Sequence, residues 1–135
     1  MTHEDVQRWL DAYADAWKTY DPAAIGALFS DDVAYYYHPY DEPTVGRKAV
    51  VESWLGEGEH PGASERDEPG TYDGSYRPVA VDGDVAVAVG TSTYYERPGG
   101  PVEKIFDNCA VIRFDADGRC REYVEWYMRR PANEP

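Results

Sequence analysis

The stretch that most constrains the fold is residues 105–128, IFDNCAVIRFDADGRCREYVEWYM. It reads as two strands around a tight turn. Phe106, Asn108, Ala110, Ile112 and Phe114 share one parity, while Ile105, Asp107, Cys109, Val111 and Arg113 share the other. Residues of one parity lie on one face of a strand. Asp115-Ala116-Asp117-Gly118 forms the turn, with Gly118 free to take positive φ. Neither face is wholly polar, so both call for cover. A lone hairpin is not stable in water, and the rest of the chain must supply that cover.

The segments before it supply helices first. Thr2 and Asp5 pair as a capping box ahead of a helix over residues 3–19, with Val6, Leu10, Tyr13 and Trp17 as its apolar stripe. Asp21-Pro22 restarts a short helix that runs to Phe29 and buries Ile25, Leu28 and Phe29. Residues 33–40, VAYYYHPY, read as a strand with Val33, Tyr35 and Tyr37 on one face and Ala34, Tyr36 and His38 on the other, ended by Pro39. Gly46-Arg47 opens a third helix reaching Leu55. Residues 56–73 are rich in Gly, Glu, Pro and Ser and predict a mobile loop or lid. A strand over 75–81, a turn at Asp82-Gly83 and an alternating strand from Val85 to Glu96 lead into the opening hairpin. The order is α+β: three N-terminal helical segments packed on a curved, mostly antiparallel sheet. One domain covers residues 1–130. Residues after Met128 read as a frayed end, with 131–135 as a tail.

Charge narrows the function. The chain has 26 acidic and 13 basic residues, a formal charge of −13, which excludes nucleic acid and anionic membrane as partners. Only three of the basic residues are Lys, a balance that fits either a high-salt cytoplasm or a GC-rich genome. No apolar run approaches the roughly 20 residues that span a bilayer, and no signal peptide is read. Cys109 and Cys120 fall several pairs apart across the hairpin, so they are expected to stay unbridged. Two free thiols suit a cytoplasmic protein. No metal-ligand set, Ser-His-Asp spacing or phosphate loop is present, so no metal and no cofactor is expected.

LFSDDVAYY (28–36), Gly46-Arg47, VDGDVAV (81–87) and VIRFDADGR (111–119) together resemble the nuclear transport factor 2-like superfamily. That superfamily includes SnoaL-like polyketide cyclases, ketosteroid isomerase and scytalone dehydratase. The resemblance covers nearly the whole chain and implies a cone-shaped, cystatin-like fold around a pocket. Set against ketosteroid isomerase, the oxyanion tyrosine falls on Tyr13 and the base on Tyr37, or on His38 after a shift of one residue. The second oxyanion acid falls on Ala110. The resemblance thus implies a cofactor-free isomerase, dehydratase, cyclase or hydrolase acting on a small, apolar, carbonyl-bearing compound, or a binding module without chemistry.

Candidate pocket residues follow. Tyr13, His38 and Tyr37 are the catalytic candidates. Trp17, Trp54, Tyr95, Asn108, Tyr123, Glu125 and Tyr127 are the ligand-binding candidates. His38 carries an imidazole, the side chain suited to moving a proton near neutrality; the duller reading is an imidazole bonded to a backbone carbonyl. Tyr13 could steady an oxyanion or simply fill the core. Asn108 sits mid-strand, where an amide needs a partner. Whether Glu125 or Trp126 faces inward is open from alternation alone; the isomerase match points Tyr123, Glu125 and Tyr127 in. His60 and His3 are expected in solvent. Ala86, Ala88, Gly90, Cys109, Val111, Val124 and Trp126 are then assigned to the outer sheet face, which predicts a homodimer.

Overall fold

The computed structural model describes residues 1–57 and 67–132. The centre of the expected lid, His60 with it, and the last three residues lie outside them. The fraying expected straight after Met128 is corrected at residues 129 and 130. Arg130 donates to Asp107 through Nε (2.8 Å) and Nη2 (2.9 Å), and its backbone N–H bonds to the Ile105 carbonyl, so the chain is tied down there.

Helix α1 spans His3–Thr19. Thr2 Oγ1 accepts the Asp5 N–H and the Asp5 carboxylate accepts the Thr2 N–H, which satisfies two orphan donors of the first turn. Tyr20 closes the helix in the left-handed region, at φ 52°, with its N–H on the Ala16 carbonyl. Helix α2 (Pro22–Ala27) is capped by the Asp21 side chain, and α3 spans Arg47–Trp54. Strands β1 (Phe29–Tyr36), β2 (Thr44–Val45), β3 (Tyr72–Asp82), β4 (Val85–Tyr95), β5 (Val102–Phe114) and β6 (Cys120–Arg129) form one sheet in the order β2-β1-β6-β5-β4-β3. All pairings are antiparallel except β1 with β6.

Two boundaries differ from expectation for one reason. Phe29 belongs to β1, not to the preceding helix, and β1 ends before Tyr37. The distant Cys120 pairs with Phe29 and donates its N–H to the Leu28 carbonyl at 2.8 Å, which pulls this segment into the sheet. The short β2 comes from pairing with the neighbouring β1, and the earlier start of β3 from a hairpin with β4 that continues out to Tyr72 opposite Tyr94.

The register settles which face is which. On β5, Asn108 stands between Gly90 and Tyr127, Ala110 between Ala88 and Glu125, and Ile112 between Ala86 and Tyr123. Directly opposed residues share a face. Ala86, Ala88, Ile112 and Tyr123 are buried, so this is the inner face. The outward assignment of Ala86, Ala88 and Gly90 is therefore wrong. The physical reason lies in α1. Its Trp9, Leu10 and Tyr13 occupy the space over the sheet, and only alanines leave room beneath them. Cys109, Val111, Val124 and Trp126 do face out, beside Val87 and Val89. Both cysteines are free, as expected.

Trp9 was absent from the expected stripe and is central to the core. It lies against Tyr13, Phe29, Phe114 and Tyr123, and its indole N–H donates to the Leu28 carbonyl at 3.0 Å.

Candidate active site

The helices and the curved sheet enclose a half-open cavity of about 380 Å³. Helix α1 contributes Tyr13 and Trp17, and β1 with its exit contributes Tyr35 and Tyr37. Strands β3 and β4 add Tyr72, Tyr76, Ser92 and Tyr94. Strands β5 and β6 add Lys104, Phe106, Asn108, Glu125 and Tyr127, and Asp67 joins them from the preceding loop. A cavity of this size with aromatic walls and a few polar groups is the usual form of a small-molecule site.

Six of the ten expected site residues reach this wall: Tyr13, Trp17, Tyr37, Asn108, Glu125 and Tyr127. Tyr123 lies behind it, stacked between Tyr13 and Tyr35, with its hydroxyl donating to Glu125 Oε1 at 3.3 Å. Trp54 is buried and stacks on Trp17 at 3.9 Å, so it supports the wall without facing the cavity. Tyr95 does not line it; its neighbour Tyr94 does, because Tyr94 shares the parity of Ser92.

His38 also stands outside the wall. Its Nδ1 lies 2.7 Å from Asp41 Oδ2 and its Nε2 lies 2.6 Å from the Tyr127 hydroxyl. With Asp41 accepting the Nδ1 proton, Nε2 accepts from Tyr127, and both nitrogens are engaged. Tyr37 lines the cavity but its proton is committed. Ser53 Oγ donates to the Val50 carbonyl, so the Tyr37 hydroxyl, 2.8 Å away, must donate to Ser53. Burial pushes that phenol up to about 12. It does not act as a base near neutrality.

Glu125 is different. Protein atoms crowd its carboxyl, and burial raises its pKa from 4.5 to about 7, against the lowering effect of bonds from Tyr123 and Asn108. Both bonds fall on Oε1: the Asn108 amide donates at 3.2 Å and the Tyr123 hydroxyl at 3.3 Å. Among the described residues, Oε2 takes no hydrogen bond and no cation pairs with the carboxylate. Facing the same cavity, the Tyr13 and Tyr35 hydroxyls lie 3.1 Å apart. One bond between them uses one of the two protons, and the Tyr123 hydroxyl also interacts with Tyr13. Burial holds both phenols well above 10, so both remain donors. At the wall Lys104 Nζ sits 5.1 Å from the Tyr94 ring centroid. Among the described residues no three His, Cys, Asp or Glu side chains converge to hold a metal ion. No described helix is long and apolar enough to cross a membrane.

Of the wall residues not anticipated, Ser92, Tyr94 and Phe106 carried a readable signal. They share the face of Asn108 once β4 is placed against β5. Tyr72, Tyr76 and Asp67 carried none.

The family of SnoaL-like domains matches residues 10–123. The chain belongs to the SnoaL-like domain family. A crystal structure described as that of a "putative ketosteroid isomerase" from Kribbella flavida DSM 17836 is similar to it, with a TM-score of 0.64 and 18% sequence identity over 98% of this chain and 83% of that one. At that identity the likeness establishes the fold alone, and it is the family match that places the chain in the nuclear transport factor 2-like superfamily. No functionally curated protein matches the chain. Within this SnoaL-like domain Tyr13, an expected site residue, faces the cavity, and Ala110 is buried on the inner sheet face.

Proposed function

We propose that this SnoaL-like domain binds a small, largely apolar, carbonyl-bearing molecule and moves a proton on it without a cofactor, with Glu125 as the base. What carries the reading is one observation: a carboxyl on the wall of an aromatic cavity, with Oε1 held by Asn108 and Tyr123 and Oε2 without a partner among the described residues. Burial, which raises its pKa to about 7, suits it to take a proton near neutrality. Glu125 Oε2 takes a proton from the carbon next to the carbonyl. The electron pair moves to the carbonyl oxygen, which accepts a hydrogen bond from the Tyr13–Tyr35 pair. Isomerisation, dehydration and cyclisation each begin with that step, and hydrolysis would use the same carboxylate on water. The role first expected of His38 or Tyr37 passes to Glu125, because the imidazole is outside the wall and the phenol proton is held by Ser53.

Two copies pair through the outer sheet face, a reading supported by Trp126, 46% exposed among outward valines.

Deuterium incorporation from heavy water into a panel of small enolisable ketones, followed by NMR, tests the chemistry. The wild-type protein accelerates exchange, and Glu125→Gln lowers that rate by about 100-fold or more. Equal rates in the two proteins refute Glu125 as the base. Ketone binding without exchange supports the second reading, a ligand-binding module, which the apolar Ala110 at the second oxyanion position favours.

A further inference from the structure

Five polar side chains on the inner face form a continuous hydrogen-bonded chain across four strands. The Tyr72 and Tyr76 hydroxyls are 2.5 Å apart, and Tyr76 lies 2.7 Å from Ser92 Oγ. Ser92 donates to Asn108 Oδ1 at 3.0 Å, and Asn108 Nδ2 donates to Glu125 Oε1 at 3.2 Å. The direction of the whole chain follows from counting protons. A serine has one, and Ser92 spends it on Asn108, so Tyr76 must donate to Ser92. Tyr76 has then spent its own, so Tyr72 must donate to Tyr76. Every donor points towards Glu125.

Gly90 makes the chain possible. It stands between Tyr76 and Asn108 in the strand pairing. A Cβ there would come within 2.4 Å of the Tyr76 ring. The missing side chain lets that ring lie across the strand and bring its hydroxyl to Ser92.

We propose that Ser92 is a positioning residue: its hydroxyl locks the Asn108 amide so that Nδ2, and not Oδ1, meets Glu125. This rests on the reading of Glu125 as the working carboxyl. An amide can turn over, exchanging its oxygen for its nitrogen at nearly the same position. With Ser92 donating, the turned amide would set an N–H against a hydroxyl proton and a carbonyl against a carboxylate, and reversing the hydroxyls as well would leave the Tyr72 proton with no acceptor among the described residues. Without Ser92, Oδ1 loses its donor and gains by turning to Glu125, where it accepts a bond only from a protonated carboxyl. The amide then ceases to favour the carboxylate and favours the acid. The other groups that bear on this carboxyl are phenols: Tyr13 from α1, Tyr35 and Tyr37 from β1, Tyr76 and Tyr94 from β3 and β4, and Tyr123 and Tyr127 on β6 itself. All are held above 10, so none titrates with Glu125. Lys104 and Asp67 share the same cavity and are unchanged by the substitution.

The test is an NMR titration of protein labelled with carbon-13 at the glutamate carboxyl, the Glu125 signal being assigned by its loss in Glu125→Gln. Ser92→Ala raises the Glu125 midpoint by about one unit, a tenfold change in proton affinity. Ser92→Thr, which keeps the hydroxyl, leaves it within about 0.3 units. A midpoint in Ser92→Ala that is unmoved or lower overturns the proposal. If Ser92→Ala does not fold, the isosteric pair Ser92→Thr and Ser92→Val decides in the same way. Packing alone would treat those two alike; the proposal requires only the valine protein to shift upward. The titration uses no substrate, so its failure and the failure of the ketone exchange assay are read separately.

Discussion

Replacing Glu125 by glutamine changes how stability depends on pH, and the structure gives both sign and size. The Glu125 carboxyl titrates at about 7 in the folded protein and at 4.5 as an ordinary glutamate. Between those values the folded state holds a proton that the unfolded state has released. Stability therefore falls as pH rises through this window: the contribution is full below 4.5 and is lost by the time the folded carboxyl ionises. From about pH 5.5 to about pH 7 that is one and a half units at about 1.4 kcal/mol each, or roughly 2 kcal/mol. Water entering the cavity screens the charge and brings the expectation to about 1–2 kcal/mol. Glutamine carries no proton to lose, and the other acidic groups contribute alike to both proteins. Urea unfolding of wild type and Glu125→Gln at about pH 5.5 and about pH 8.5 isolates the difference. Wild type should lose about 1–2 kcal/mol more than the variant on going to the higher pH. Parallel behaviour, within about 0.3 kcal/mol, would mean that the folded carboxyl titrates like any surface glutamate, and the case for a base on the cavity wall would fall with it.

Three further outcomes are expected. Gly90→Ala places a Cβ 2.2 Å from the Ser75 carbonyl oxygen and should cost about 3 kcal/mol in urea unfolding; a loss below about 0.5 kcal/mol would show that β3 yields easily there. His38→Ala should lower ketone exchange by less than about tenfold, since the ring touches Tyr127 and not the cavity; a loss matching that of Glu125→Gln would return the base role to the imidazole. Trp126→Glu should convert a dimer to a monomer in light scattering at micromolar concentration, and a wild-type protein that is already monomeric refutes pairing through the outer face.

How much of this was legible in the sequence depends on the range of the cause. Helix caps are local, and Thr2, Asp5, Asp21 and Pro22 announced them correctly. The hairpin of β5 and β6 was equally local, with a turn chemistry that allows few alternatives. Alternation on β4 was plain as well, but not which parity faced in. Small residues look dispensable on an outer face until Trp9 and Tyr13 are seen to need the space above Ala86, Ala88 and Ala110. Trp9 itself was readable, since a helix face wider than one row takes in the position three after Val6. The parallel pairing of β1 with β6 was not readable, and with it went the end of β1 and the place of His38. Tyr37 and His38 are one residue apart, and only the true end of the strand decides which of them enters the cavity.

The same distinction bears on why Glu125 is there at all. Folding supplies no reason for it. A carboxyl on this face raises the cost of the folded state at neutral pH, and no described cation offsets it. Glutamine would keep the bonds to Asn108 and Tyr123 at similar size and remove that cost. The surrounding donors run the other way from what stability alone requires, because they all point at the carboxylate and help it ionise. Burial pushes the proton on and the aligned donors pull it off, and the two leave the group titrating at about 7. A carboxyl balanced between those opposing influences, with one oxygen open to the cavity, is what the proposed proton transfer needs and packing does not.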